Sequence, residues 1–431
     1  MPAQIPLEIW SPLPPLPTGV ADYVEEQLEV LGREFSVTLV VESPSAVASP
    51  IRDRFRVIAA QQGESGTLRL YHVGNSPLHG FVYREAVRVP GIVVLHEWNL
   101  HELLLGFAVT ANDFDPYRRM MRREHGERGS VAAETIASAL GGRHWTGVFP
   151  LNLEILESAL AVVSLSGSTV ARVAARVPGT PSLHLPHHAL LRSHTTGRAE
   201  ARGRLGLSAA ARIVLAPGLG TTSKSLEVVA AAVDAVRRHV EHVVLLTVGG
   251  GAEGGASGVN NLGRVDLETL GDALVAADVV VALRFPSRGE ASGVVMRALA
   301  AGRAVAVSSG STADEDLPVG AVARVSPGPG EGAELAAILH LLLTDEAARL
   351  RLERLARAEA TARGVGPLTA QLGAFLRDIA LEKTALEGRL RVRLAGGAGV
   401  RSAIRNDIEA AAQSLGLAHV PTNVFERLAG L

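Results

Sequence analysis

Residues 277–310 read ADVVVALRFPSRGEASGVVMRALAAGRAVAVSSG, and this stretch decides the fold of the chain. The β-branched run at Ala277–Leu283 predicts a buried strand, and the run at Ala304–Ser308 predicts a second one. The helix predicted between them ends at Gly302, because glycine is common directly after a helix end. A strand, a helix and a strand in this order predict a crossover unit of a parallel sheet.

The same alternation of short apolar runs and longer helical stretches extends along the chain. Seven strands are predicted in the first half: Leu7–Trp10, Ser36–Val41, Arg56–Ala59, Leu68–Val73, Gly91–Leu95, Leu160–Val163 and Ser182–Leu185. Three strands of the second half join the two above: Arg212–Ala216, His242–Val248 and Ala321–Val325. Helices such as Leu226–Arg238 separate them. We therefore predict an α/β protein with two similar domains, which face each other across a cleft at the carboxyl ends of both sheets.

The length also indicates two domains, because a single compact core stops growing at roughly 250–300 residues and this chain has 431. Residues 189–211 are polar and rich in arginine, so we predict the linker there. After Leu376 no further strand is indicated, and Val400–Leu415 is an amphipathic helix candidate behind the flexible sequence AGGAG. The predicted organisation is a first domain at 1–188, a linker at 189–211, a second domain at 212–375 and a helical tail at 376–431.

The composition excludes several classes of function. The chain has 42 Lys plus Arg against 44 Asp plus Glu, and a pI of about 6.7 disfavours a dedicated nucleic-acid binder. It has no cysteine, which excludes disulfides, thiolate nucleophiles, zinc fingers and iron–sulfur clusters and suits a reducing compartment. Neither a signal peptide nor an apolar run of roughly 20 residues is evident, so we predict a soluble, cytoplasmic protein.

A glycine-containing loop follows the first strand of the second domain, in RIVLAPGLGTTSKSLEVVAAAVDAV at 212–236. A dinucleotide fingerprint requires glycine where Ser223 stands. A P-loop is matched at Gly218, Lys224 and Ser225 but fails at the same serine. A third interpretation is a looser phosphate site, in which the helix amino terminus and Lys224 face a diphosphate. A fourth is a solvated surface turn.

Four residues of the opening stretch have the chemistry of an anion site. Ser292 and Gly293 open the helix, and their small size lets a ligand approach the free N–H groups of its first turn. Arg284 can pair with a phosphate, and Glu290 can accept hydrogen bonds from ligand hydroxyls. The alternative is an ordinary helix N-cap with a charged neighbour.

The segment from Glu290 through ASGVVMRALAAGRAVAV resembles family 4 of the retaining glycosyltransferases, which have two Rossmann-like domains in the GT-B arrangement. The usual signature of that family is a Glu, seven residues and a second Glu, in a segment like EGFGLPLLEAMACGKPV. Ala298 stands at the second position, which in the family usually binds the nucleotide ribose. The form LR-x-P-x-x-GE-x-S-G resembles a subgroup that lacks this acid, so the departure bears on ribose recognition more than on activity.

The resemblance covers roughly residues 5–375. Similar segments occur in the expected order at 11–31, 71–86, 92–105 and 183–190. By resemblance, Gly19 in the first loop and helix lies close to the donor phosphate and sugar. The resemblance also implies a helix that crosses back to the first domain at about 366–381.

The resemblance implies transfer of a sugar from a nucleotide-diphosphate sugar, of the UDP or GDP kind, to an acceptor hydroxyl with retention of configuration. The acceptor would be a glycan, a lipid-linked molecule or a small molecule, in polysaccharide, glycolipid or glycoconjugate synthesis. Neither a metal nor another cofactor is implied. Front-face displacement, in which the leaving phosphate helps deprotonate the acceptor, requires no protein nucleophile, and no carboxylate pair of the hydrolase type is evident. The predicted donor-binding residues are Gly19, Gly218, Lys224, Arg284, Ser292 and Gly293.

Histidines are concentrated before residue 190, and several follow predicted strands. By resemblance, His96 contacts the donor sugar near the reacting carbon, so His96 and Glu290 are the predicted catalytic residues. The predicted acceptor-side residues are His72, Asn75, Glu97 and His101. HEWNLH does not suit a zinc-protease helix, because five steps place the two imidazoles about 140° apart. A partly buried hydrogen-bonding role is the alternative for most of these histidines.

Three other functions are kept open: a nucleotide-sugar epimerase of the same fold, a P-loop-like ATPase, and a catalytically silent glycosyltransferase-like partner, which Ala298 favours. Residues 114–129 contain five arginines against Glu124 and Glu127. This segment either attracts an anionic acceptor or makes a peripheral contact with the inner face of a membrane, or it is a solvated helix face. No nucleic-acid partner is predicted.

Overall fold

The computed structural model describes residues 4–64, 66–140, 144–195, 197–218, 226–249 and 259–414, with the side chains of the last helix described through residue 394. Two parallel sheets form, and helices cover both faces of each sheet. The predicted α/β architecture with two Rossmann-like domains is therefore confirmed.

The first sheet has the strand order β3-β2-β1-β4-β5-β6-β7 and the second has the order β10-β9-β8-β11-β12-β13. The strands of the first sheet are β1 (Ile5–Trp10), β2 (Phe35–Val41), β3 (Arg56–Ala59), β4 (Leu68–Val73), β5 (Ile92–Leu95), β6 (Ala161–Ser164) and β7 (Ser182–His184). The strands of the second are β8 (Arg212–Pro217), β9 (Val243–Val248), β10 (Val259–Asn261), β11 (Val279–Ala282), β12 (Ala304–Ser308) and β13 (Ala323–Val325). Each predicted strand is present, and β10 is additional.

Helices connect the strands in both domains. In the first part of the chain they are α1 (Gly19–Glu34), α2 (Ser49–Arg52), α3 (Gly80–Arg88), α4 (His101–Ala111), α5 (Asp115–Ala137), α6 (Trp145–Val148), α7 (Leu153–Ser158) and α8 (Gly167–Arg176). In the second part they are α9 (Arg198–Arg204), α10 (Leu226–Arg237), α11 (Leu267–Ala276), α12 (Gly293–Ala300), α13 (Thr312–Asp316), α14 (Glu331–Thr344), α15 (Glu346–Ala362) and α16 (Val365–Ser414).

Each sheet has an apolar layer on both faces, which explains why its strands are continuous apolar runs. In β1, Leu7 and Ile9 pack into the layer beneath α1, while Trp10 points to the opposite layer. The side chains alternate because successive residues of a strand face opposite sides of the sheet. Helices on both faces leave the carboxyl edges of the strands as the place where the loops converge.

One predicted domain boundary falls inside a helix, and the predicted linker contains another helix. The predicted linker at 189–211 contains α9, which Arg202 anchors to the second domain through a buried ion pair with Asp278 at 2.8 Å. A polar anchor of this kind leaves no apolar periodicity in the sequence. The boundary at 376 lies within α16, and the AGGAG stretch expected to be flexible is helical along its backbone.

The long helix α16 crosses back to the first domain, as the resemblance implied. Leu368, Leu372 and Leu376 are buried in the same apolar layer as α1 and β1. Their spacing of four residues places them on one face of the helix. No helix in the described part of the chain is both long enough and apolar enough to cross a membrane.

Candidate functional site

The first side of the candidate site is formed by residues that follow β4 and β5. His96 comes directly after β5, and its backbone N–H donates to the carbonyl of Val73 at 3.0 Å. Below it, Nδ1 of His72 lies 3.0 Å from Nε2 of His96, so the two imidazoles share a hydrogen bond. Because parallel strands end at the same edge of a sheet, neighbouring strands bring these residues together.

The second side is formed by the loop between β11 and α12 and by the start of that helix. The side chain of Ser292 caps α12, since its hydroxyl accepts a hydrogen bond from the N–H of Val295 at 3.4 Å. Glu290 is 6% exposed, and each of its carboxylate oxygens has a donor. Arg284 Nη1 donates to one oxygen at 2.8 Å, and the Arg288 backbone N–H donates to the other at 2.6 Å.

The two sides are in direct contact. The N–H of Ala291 donates to the carbonyl of His96 at 3.4 Å, and the N–H of Asn99 donates to the carbonyl of Arg288 at 3.2 Å. Gly289 has a φ of +73°, and a Cβ added there would lie 2.5 Å from the Cβ of Trp98. Glycine is therefore required at this position both by its backbone conformation and by the close approach of the other domain.

Two carboxyl groups from different domains meet at this contact. Burial, and then the negative charge of Glu290, raise the pKa of Glu97 from 4.5 to about 7. The backbone N–H of Asn75, at 3.4 Å from Glu97 Oε1, and the cations Arg284 and Arg288 oppose this rise. The sequence does not indicate this pair, because its members lie in separate motifs and are brought together by the way the domains face each other.

A cluster of imidazoles surrounds Tyr23 of α1. The ring centroid of Tyr23 lies 4.6 Å from that of His188, 4.9 Å from that of His187 and 5.0 Å from that of His96. Burial lowers the pKa of His72 and of His187 to about 3 and lowers the pKa of His96 well below its usual value. These rings therefore contribute hydrogen bonds rather than positive charge at neutral pH.

Three of the predicted acceptor-side residues are held within the first domain. His101 is fully buried, and its ring nitrogens bond to the Phe149 carbonyl at 2.6 Å and to the Tyr117 hydroxyl at 2.7 Å. The side-chain Oδ1 of Asn75 accepts the N–H of Leu103 at 3.1 Å, and His72 lies beneath His96. His101 has no ring nitrogen left for a ligand, because both are used to position α5 and the chain that follows it.

The predicted donor-binding residues that the structure describes lie on both sides of the cleft. Gly19 is the first residue of α1, and a Cβ added there would meet nothing within 4 Å. Gly218 follows β8 with a φ of +77°, a conformation that favours glycine. Arg284 and Ser292 line a pocket between the ends of β8 and β11. Lys224 lies outside the residues that the structure describes.

Ala298, at the position of the missing second acid, has no exposed surface and packs in an apolar layer of the second sheet. Its neighbour Arg297 reaches the first domain, where Nη2 lies 2.7 Å from Oε1 of Glu26. Neither Glu26 nor Arg297 was singled out in the sequence. The signal that could have found Arg297 is a charge in the middle of the apolar run VVMRALA. Among the described residues, no group of three or more His, Asp and Glu is arranged to hold a metal ion.

No protein-family model matches this chain, and no curated protein does. Solved structures share its fold. HepE of Anabaena, in a structure with UDP and glucose, is 15% identical with a TM-score of 0.55, over 86% of this chain and 99% of that one. Sucrose-phosphate synthase from Thermosynechococcus elongatus is 18% identical with a TM-score of 0.61, over 87% of this chain and 99% of that one. A glycosyltransferase from Rickettsia africae is 11% identical with a TM-score of 0.56, over 88% of this chain and 100% of that one. This chain therefore has the GT-B fold of two facing Rossmann-like domains.

Proposed function

We propose that this protein is a retaining glycosyltransferase that moves a sugar from a nucleotide-diphosphate sugar to an acceptor hydroxyl. The observation that carries the proposal is that the ion pair of Glu290 with Arg284 directly precedes the amino terminus of α12, where the Ala291 N–H donates to the carbonyl of His96 across the cleft. Solved proteins with this fold supply further support, since HepE has been crystallised with UDP and with UDP-glucose. UDP- or GDP-sugars are the donors that we propose to test first.

In this proposal the second domain holds the donor diphosphate. The free N–H groups at the start of α12 favour an anion. Arg284 uses Nη1 for Glu290, and its guanidinium has further N–H donors for a phosphate. These fixed donors would stabilise the charge of the leaving diphosphate, which is usually the largest catalytic contribution. Gly19, Gly218 and Lys224 are proposed to complete the phosphate site.

Glu290 and His96 are proposed to orient the sugar. The hydrogen bonds from Arg284 and from the Arg288 backbone fix the Glu290 carboxylate, so its remaining lone pairs can accept sugar hydroxyls in one orientation. His96 is neutral and can donate or accept one hydrogen bond. We propose that the leaving phosphate takes the acceptor proton and that neither a metal nor another cofactor takes part.

The acceptor is proposed to be a glycan, a lipid-linked molecule or a small molecule, bound from the side of Glu97. A cytoplasmic location, with or without peripheral membrane contact, is proposed with it. Arginines of the segment 114–129 form ion pairs within the chain, among them Arg118 with Asp115 and Glu134, and Arg123 with Glu157. These pairs reduce the charge that α5 could offer to an anionic membrane.

The test begins with thermal-shift measurements against UDP, GDP and ADP and their sugars, followed by transfer assays with the donor that binds. Glu290→Gln keeps the shape of the side chain and is expected to abolish transfer while nucleotide binding persists. Glu29→Gln, which removes an exposed ion pair with Arg33 on α1, is the matched control. Full activity of Glu290→Gln would overturn the proposal.

The same assays separate the other functions. Conversion of the donor sugar without any acceptor would identify an epimerase. Magnesium-dependent ATP hydrolysis that is lost in Lys224→Ala would identify an ATPase. Nucleotide binding without turnover for any acceptor would identify a silent partner.

A further inference from the structure

A buried ion-pair cluster joins α1 of the first domain to α12 of the second. One carboxylate oxygen of Glu26 accepts a hydrogen bond from His188 Nε2 at 2.6 Å, and the other accepts one from Arg297 Nη2 at 2.7 Å. The Glu26 and His188 side chains are 1% exposed and that of Arg297 is 10% exposed. Arg297 Nη1 also donates to the carbonyl of Leu190 at 3.1 Å, in the segment between the domains.

The cluster lies on the same helix faces as two residues of the candidate site, Gly293 on α12 and Gly19 on α1. On α12, Gly293 is four residues before Arg297, and a Cβ added to it would lie 3.4 Å from Nε2 of His187. The same face of α12 therefore contacts the first domain at both positions. On α1, Gly19 and Glu26 are seven residues apart, which is about two turns on one face. The ion pair thus connects two helices whose amino termini both face the cleft.

The position of the charges makes the pair dependent on the contact between the domains. Arg297 lies in an apolar helix of the second domain, and its carboxylate partner lies in the first. A buried charge is tolerated only when a partner and further hydrogen bonds compensate for the lost water. A shift of α12 along α1 would leave Arg297 buried without its carboxylate partner, while Glu26 would keep only His188 at 2.6 Å and Arg192 at 3.8 Å. The cluster therefore selects one register between the two helices.

We propose that Glu26 and Arg297 are positioning residues, whose ion pair, with His188 hydrogen-bonded to Glu26, sets the register between the amino termini of α1 and α12. Its effect on donor binding rests on the proposed function, whereas the register itself does not. The pair contacts no reacting atom in this scheme. It aligns the phosphate-facing end of α12 with the start of α1.

The absence of cysteine allows a direct measurement of the register. Ala111→Cys on α4 and Ala337→Cys on α14 introduce one exposed labelling position into each domain. Energy transfer between two dyes on these cysteines then reports the distance between the domains in the full chain. Glu26→Gln and Arg297→Met are each expected to lengthen or broaden this distance distribution. The control Glu29→Gln, three residues along the same helix, is expected to leave it unchanged.

The kinetic expectation is a rise in the KM for the donor of about tenfold or more with a smaller change in kcat, because the binding groups are displaced. Arg297→Lys keeps the charge and is expected to restore part of the loss. A purely structural role would instead lower the amount of active protein without changing KM.

The double variant Glu26→Gln/Arg297→Met keeps the test valid if a single variant folds poorly, because it leaves neither member of the pair charged. The change in its interdomain distance is expected to be no larger than the change in either single variant. If the changes of the two single variants add up in the double variant, or if the distances are unchanged in both single variants, the proposal is overturned. If the distances change as expected but the wild type transfers no sugar from any donor tested, the register is supported and the proposed function fails.

Discussion

Replacing Glu97 with glutamine is expected to stabilise the protein at neutral and alkaline pH but not at acidic pH. Burial and the charge of Glu290 raise the pKa of Glu97 from 4.5 to about 7. Between these two values the folded protein holds a proton that the unfolded chain has lost. The free energy of unfolding of the wild type therefore falls as the pH rises through this window. Glutamine does not ionise, so the variant does not undergo this loss.

The size of the effect follows from the pKa. Each pKa unit corresponds to about 1.4 kcal/mol, so the rise from 4.5 to about 7 corresponds to roughly 3 kcal/mol. Part of the surface of Glu97 is accessible to solvent, and solvent screening therefore reduces this free energy. We expect Glu97→Gln to gain about 2 kcal/mol above pH 7 and almost nothing at pH 4.5.

Urea denaturation of the wild type and of Glu97→Gln at several pH values between 4.5 and 8 measures the difference directly. The same comparison in a Glu290→Gln background tests whether the charge of Glu290 contributes to the raised pKa of Glu97. Removing the charge of Glu290 leaves burial as the main contribution, so the gain is expected to shrink without vanishing. A difference that stays constant across the whole pH range would refute the assignment of a proton to Glu97.

Three further predictions follow from single contacts. His72→Asn is expected to retain transfer, because an amide at the Nδ1 position can still bond to His96. His72→Gln is expected to lower kcat. Equal kinetics of the two variants would contradict this prediction. Leu372→Ala is expected to lower the free energy of unfolding by about 2–5 kcal/mol in urea denaturation, and a change below about 0.5 kcal/mol would contradict the docking of α16. Gly289→Ala is expected to displace the loop from Trp98 and increase the radius of gyration in solution scattering, and an unchanged radius would contradict the closeness of that contact.

The strands were predictable because buried parallel strands are continuous apolar runs. β1, β4, β5 and β12 lie where their β-branched residues indicate. The strand that was missed, β10, has three residues with the sequence VNN, of which the two asparagines are exposed. A short edge strand is paired on one side only and requires no apolar pattern. Helix α9 was missed for a related reason, since a buried ion pair and one small apolar residue, Ala201, hold it in place of a continuous apolar face.

The candidate site was predictable only as far as each residue depends on its own strand or helix. His96 and His101 are five residues apart after the same strand, yet His96 contacts the second domain while His101 turns beneath α5. Local spacing does not distinguish them, because the difference depends on the tertiary partners of each ring. Partners across the cleft are even harder to predict from the sequence, since Glu26 and Arg297 are 271 residues apart. Yet a charged residue in the middle of an apolar helix requires a buried partner of opposite sign. Arg297 in VVMRALA therefore predicts that a carboxylate exists elsewhere in the chain, while only the structure identifies it as Glu26.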